Sequence, residues 1–205
     1  MKFLILLALT TTTALAHPVI YKDGWALSSS NMESYSNNYA MYSFSNRWST
    51  GVDQWRFTKD DQDTDMVFAK INNLLWRKNG HDYQANIYLH AGLGLADQRT
   101  SKGAWQGGIE GDWETRTLYT SLKHYEFHSS GLLDSSMTQA RVGLSPVIAD
   151  FKSLQTWVML QAMYTSDVNR TVMLTPMLRF FYENVLWEVG SSTKGDWMLN
   201  LMVHL

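Results

Sequence analysis

The sequence contains no cysteine, which excludes a disulfide framework, a thiolate metal site and a lipoprotein anchor. Beyond Ala16 it also lacks any apolar run approaching the ~20 residues that a membrane helix needs. An excess of charge of one sign is missing as well: the formal net charge is −2, which gives no reason to expect nucleic acid as a partner. Against these absences stands a heavy aromatic load of nine Trp, ten Tyr and eight Phe. Mean hydropathy is nevertheless slightly negative. A barrel with an apolar outer face and a polar lumen produces that mixture, because the two faces average out.

The first sixteen residues read as an export signal. Lys2 supplies a positive start, Phe3 to Leu9 form a short apolar core, and Ala14-Leu15-Ala16 is a small-x-small cleavage site. The core is too short to span a bilayer, and Thr10 to Thr13 disfavour a buried helix. The expected organisation is therefore a signal peptide over 1–16 and one domain over 17–205. The segment His17 to Asp23 is too short for a plug domain.

Strict alternation is the strongest signal in the remaining chain. From Tyr83, the residues Ala85, Ile87, Leu89, Ala91, Leu93 and Leu95 share one face, opposite Gln84, Asn86, Tyr88, His90, Gly92 and Gly94. The final stretch repeats it, with Trp197, Leu199, Leu201, Val203 and Leu205 opposite Met198, Asn200, Met202 and His204. Leu154 to Tyr164 and Val172 to Phe180 alternate in the same way. A soluble sandwich shows one or two such strands; so many in succession predict a membrane barrel.

Turn signals divide the chain into about twelve strands: 25–32, 38–45, 48–57, 64–76, 81–96, 103–114, 116–128, 136–148, 152–164, 171–181, 185–192 and 196–205. Ten would result if Trp25–Met32 or Gly51–Phe57 were irregular. Connections this short allow only hairpins, so the fold class is an all-β, antiparallel up-and-down meander closed into a transmembrane barrel. An even count returns the chain to the periplasmic side, with shorter turns expected there. Trp48, Trp76, Trp113 and Trp187 are assigned to a girdle at the periplasmic rim, and Trp55, Trp105 and Trp197 to one at the outer rim. Pro176, on an outer-face position, predicts a bulge.

Over the whole of 17–205 this pattern resembles the small outer-membrane β-barrels of Gram-negative bacteria. The resemblance implies export to the bacterial outer membrane, contact with its lipid and lipopolysaccharide, and insertion by the barrel-assembly machinery through Trp197–Leu205. That last strand departs from the usual pattern in ending on Leu205 rather than an aromatic. The resemblance is to an architecture, and architecture does not deliver function.

Alternation assigns Gln84, Asn86, Gln106, Gln139, Gln155, Gln161 and Asn200 to the lumen. The charged or ionisable members are Asp53, Lys70, His90, Glu110, Asp112, Lys123, Arg141, Arg179, Glu188 and His204. Lys70 faces inward only if a three-residue turn precedes His81. Both charge signs occur in comparable number, so Glu110, Asp112 and Glu188 are expected to pair with Arg141, Arg179 and Lys70 and largely fill the interior. The resulting expectation is a non-enzymatic narrow channel or structural barrel.

Two alternatives carry specific chemistry. Of eleven methionines, Met137, Met159, Met163, Met173, Met177, Met198 and Met202 fall on inward positions. Thioether sulfur, with His90 and His204 as additions, is the donor type that copper(I) or silver(I) prefers; the plainer reading is that Met fills irregular gaps. His128-Ser129-Ser130 has the His-x-Ser spacing of an outer-membrane lipid hydrolase, with Asp134 nearby, but Gly131 stands where those families carry asparagine.

Overall fold

A computed structural model describes residues 17–60, 62–148 and 152–205. The export signal lies outside the described residues. Twelve strands follow in chain order: β1 (Gly24–Met32), β2 (Tyr35–Ser45), β3 (Trp48–Lys59), β4 (Gln62–Asn79), β5 (Tyr83–Asp97), β6 (Ser101–Thr115), β7 (Leu118–Ser129), β8 (Leu133–Leu144), β9 (Gln155–Thr165), β10 (Asn169–Tyr182), β11 (Val185–Ser191) and β12 (Trp197–His204). Each pairs antiparallel with its sequence neighbours, and β1 closes on β12 from Ala26↔His204 to Met32↔Met198. Closure removes every sheet edge, which is the condition for a sheet to cross hydrocarbon. No helix occurs among the described residues.

The start of β1 and the end of β12 share one end of the barrel, here called the terminal end; the opposite end is the far end. Alternation sorts the two faces. Leu93, Leu122, Val158, Leu174 and Leu199 are exposed on the outer wall, whereas Asp53, Lys70, Gln161 and Glu188 are buried inside. In lipid the outer positions lose nothing by exposure, while the inner polar groups need partners within the protein.

Four expectations need correction. Trp55 belongs to no girdle: it is 4% exposed inside the lumen, two residues from inward Asp53 and therefore on the same face. Trp48, Trp76, Trp105 and Trp197 are exposed on the outer wall, and Trp113 and Trp187 are half-buried there. Trp25, not assigned beforehand, joins them at the terminal end and contacts Tyr42 with ring centroids 5.3 Å apart.

Lys70 faces inward through a different device. Register shifts between Leu74↔Tyr88 and Trp76↔Ile87, so Leu75 is an extra residue and both it and Trp76 point outward. That bulge, rather than the turn before His81, resets the phase of β4. Pro176 marks no bulge: it stays in register opposite Leu160, and the irregularity in β10 falls between Asn169 and Met173. Pairing with β11 begins only at Met177, so the missing N–H of Pro176 lies just beyond that ladder. Finally, the terminal-end turns are not the shorter set. The longest connection, 145–154, lies at that end, because β8 stops at Leu144 rather than 148.

Candidate functional site

The lumen divides into two halves of different chemistry. Toward the far end, eleven of the twelve strands contribute to one buried apolar cluster, from Met32 on β1 through Trp55, Phe57, Phe68, Tyr125, Phe127, Met137, Trp157 and Met177 to Met198 on β12. Its rings meet across the lumen, not only along the wall. Trp55 and Phe57 of β3 lie 4.9 and 5.0 Å from Phe127 of β7, four places away around the ring. Likewise the Gln161 side-chain amide on β9 approaches the sulfur of Met32 on β1 at 3.9 Å.

The methionines are part of this filling. Met163 stands directly opposite Met173, Met159 opposite Met177, and Met32 opposite Met198. Met32, Met41 and Met66 are buried inside as well, each in phase with inward neighbours on its strand. Met202 is half-buried and its sulfur accepts a 3.8 Å contact from the Tyr39 hydroxyl. Gly143 makes room for this layer, since a Cβ there would lie 1.9 Å from the Met159 sulfur. Neither candidate histidine joins the sulfurs. His90 hydrogen-bonds Asn72 at 2.7 Å and stacks on Tyr125, and His204 is buried near the terminal end.

Midway along the barrel, charge replaces sulfur, in pairs set by register. Glu110 faces Lys123 directly and bonds it at 3.2 Å, and Arg179 faces Glu188 and bonds it at 2.7 Å. Arg141 reaches Glu188 from β8 at 3.2 Å, and Asn200 donates to the same carboxylate at 2.6 Å. The pairing expected from the sequence is thus corrected in three places. Glu110 takes Lys123 rather than Arg141, Arg179 or Lys70. Lys70 binds Asp53 at 2.7 Å, not one of the three acids first considered. Asp112 accepts from Asn86 at 2.7 Å and faces His17, with no arginine or lysine bridge among the described residues. Asp53 collects four donors in all, from Asn37, Trp55, Lys70 and Gln106.

A cavity of about 710 Å³ opens at the terminal end and runs inward past this network to Tyr35, Trp55 and Met137 of the apolar cluster. Lys123, Arg141, Arg179, Glu110 and Glu188 line it together with Tyr39, Tyr119 and Gln139, and its mouth is formed by 79–84, Arg116 and Ser153. The Arg179 guanidinium lies 4.5 Å from the Tyr119 ring centroid. Because Lys70, Lys123, Arg141 and Arg179 are already bonded to acids, the interior of the cavity offers both charge signs and no basic excess.

A short strap partly covers that mouth. His17 and Val19 are buried against the inner wall, where Val19 packs with Leu74 and Tyr88. Ser49 donates to the Pro18 carbonyl at 2.8 Å. His17 Nδ1 lies 3.5 Å from Asp112 Oδ2, while its Nε2 lies 3.5 Å from Glu114 Oε1 and 3.3 Å from Gln84 Oε1. Burial alone would lower the imidazole pKa, but the two carboxylates outweigh it and raise it to about 9. Asp112, Asn86 and Gln84 are lumen positions by alternation, and Glu114 is in phase with them; nothing local announces that the strap turns inward to bring His17 to them.

His128 lies on the outer wall, stacked on Trp105 with centroids 5.8 Å apart and 3.6 Å from Asp134. Ser130 sits in the turn after β7, where its carbonyl accepts from Lys102. Among the described residues no hydrogen bond joins its hydroxyl to His128.

No family model matches the sequence, and no curated protein matches it. Solved structures do. KdgM porin aligns with a TM-score of 0.50 at 10% identity, over 88% of this chain and 97% of its own. KdgM porin in complex with disordered oligogalacturonate aligns equally well at 9% identity, over 88% and 97%. LpxR from Salmonella typhimurium aligns with a TM-score of 0.51 at 8% identity, over 89% and 99%. At such identity the likeness is one of fold: the chain has the closed architecture of small outer-membrane barrels.

Proposed function

We propose that this chain is a non-enzymatic protein of the bacterial outer membrane, closed to through-flow, with a vestibule for small polar solutes open at the terminal end. The terminal end is read as periplasmic, because an even number of strands brings both ends of the sheet to the same side. The observation that carries the reading is the far-half cluster, in which rings from β3 and β7 meet in the middle of the lumen. A packed aromatic and methionine layer leaves water no polar path. The vestibule suits a neutral or zwitterionic solute better than a polyanion, since Lys70, Lys123, Arg141 and Arg179 are already bonded to acids.

Planar-bilayer recording tests the closed lumen. The protein is expected to insert without discrete conductance steps, and regular steps from the unaltered protein would overturn the reading. An esterase activity on lipid substrates that is abolished by Ser130→Ala would overturn its non-enzymatic part.

A further inference from the structure

We propose that His17, Asp112 and Glu114 form a binding site for a divalent first-row cation at the terminal mouth of the barrel. One ligand atom from each of the three lies within 4.8 Å of the others, and all three residues are buried. Asp112 and Glu114 project from the same face of β6, two residues apart, so the strand itself aims both carboxylates at one point. His17 reaches them from the strap. A four-coordinate zinc ion with ligand bonds of about 2.0–2.2 Å holds its donors roughly 3.4 Å apart. Drawing these atoms in from their present spacing is a matter of side-chain rotation.

Two features set the group apart from an ordinary polar cluster. Among the described residues, no lysine or arginine forms a salt bridge with Asp112 or Glu114; the cation they share is the His17 ring. Moreover, Glu114 Oε1 is buried, points into the cluster and makes no hydrogen bond. A buried carboxylate oxygen whose one partner is an imidazole nitrogen 3.5 Å away is poorly satisfied unless something occupies the space before it. A metal ion would satisfy that oxygen and balance the second acid.

One imidazole nitrogen and two carboxylate oxygens are donors for zinc and its neighbours, not for copper(I) or silver(I). Three protein ligands leave a coordination position free, and His17 and Glu114 both line the cavity. Cleavage between Ala16 and His17, the site expected from the sequence, would leave a free α-amine on the same residue and give His17 a second nitrogen to offer. The bound ion would pin the strap across the mouth. None of this depends on whether the lumen conducts.

The test uses full-length protein extracted from membranes into detergent, stripped with EDTA and titrated with zinc chloride by calorimetry. One ion per chain is expected. His17→Ala and Glu114→Gln should each weaken binding at least tenfold, while His81→Ala at the same rim and Met159→Leu in the lumen should not. Glu114→Gln keeps the side-chain shape, and heat-modifiable gel mobility verifies that each variant is folded. Absence of zinc binding, or binding that both His17→Ala and Glu114→Gln leave intact, would overturn the proposal.

Discussion

Lys59 Nζ and Asp167 Oδ1 are 2.7 Å apart across the far mouth of the barrel. Lys59 ends β3 and Asp167 lies in the turn between β9 and β10, on opposite sides of the ring. The pair is thus a strut over the opening, above the aromatic and methionine cluster. Both side chains are partly exposed, so the strut contributes at most about 1 kcal/mol. Lys59→Ala is expected to shift the urea unfolding midpoint only slightly and to produce no conductance, because the cluster beneath still blocks the lumen. Steps appearing in Lys59→Ala would show that the strut, rather than the core, closes the barrel.

The core itself should be costly to remove. Trp55 and Phe127 are buried and in ring contact, and truncation of a large buried aromatic to alanine costs about 3–5 kcal/mol. Trp55→Ala also withdraws the indole N–H that Asp53 accepts at 3.0 Å. The double variant Trp55→Ala/Phe127→Ala, if recovered folded, is expected to show flickering or stepwise current in planar bilayers that the unaltered protein lacks. A silent, folded double variant would mean that the remaining methionines are sufficient to seal the lumen.

Much of this was legible in the residues and some was not, for identifiable reasons. The outer wall could be read because lipid demands an apolar residue at every second position, and Leu89 to Leu95 or Leu199 to Leu205 obey that rule. Trp55 departs from the girdle because parity with inward Asp53 sets its face, whatever the interfacial preference of tryptophan. The bulge at Leu75 has no local marker, since Leu74, Leu75 and Trp76 are all apolar and any of them suits either face. Ion-pair partners depend on register between strands, and one residue of slip would exchange every pairing. His17 was invisible as a site residue because its role arises from the chain folding back into the barrel.

The opposed methionines make a second metal question answerable. Met159 faces Met177 and Met163 faces Met173, which brings soft sulfur donors together without either candidate histidine. If these pairs bind silver(I), titration should saturate and should weaken on Met159→Leu/Met177→Leu, a change that retains the packing volume. If they only pack, the double variant should leave silver uptake unchanged and stability within about 1.5 kcal/mol.

Close approach inside the wall predicts a contrast between two glycines. A Cβ on Gly94 would lie 1.9 Å from the Val67 carbonyl oxygen, whereas one on Gly103 would meet nothing within 4 Å. The neighbour at Gly94 is backbone, which cannot rotate aside. Gly94→Ala should therefore destabilise by about 1–3 kcal/mol, and Gly103→Ala should be nearly silent, as read from unfolding midpoints in detergent or vesicles.

Asp53 and Lys70 provide the sharpest energetic test, because both are buried and the acid accepts from four side chains. Removing one member of such a pair leaves the other charge uncompensated, at a cost of about 3–5 kcal/mol. Asp53→Ala should therefore lose far more stability than any single exposed ion-pair variant such as Lys59→Ala. Lys70 would retain a 3.2 Å hydrogen bond to the Tyr125 hydroxyl and its ring contacts with Tyr125 and Tyr39, neutral partners that do not balance its charge. Replacing both residues, in Asp53→Ala/Lys70→Met, removes the stranded ammonium and refills part of its volume with a flexible apolar chain. The double variant is expected to recover part of the loss, measured as the coupling in a double-mutant cycle of urea midpoints. A double variant less stable than Asp53→Ala by the full cost of a second independent substitution would mean that Lys70 does not depend on Asp53, and that the mid-barrel network is held chiefly by its uncharged donors.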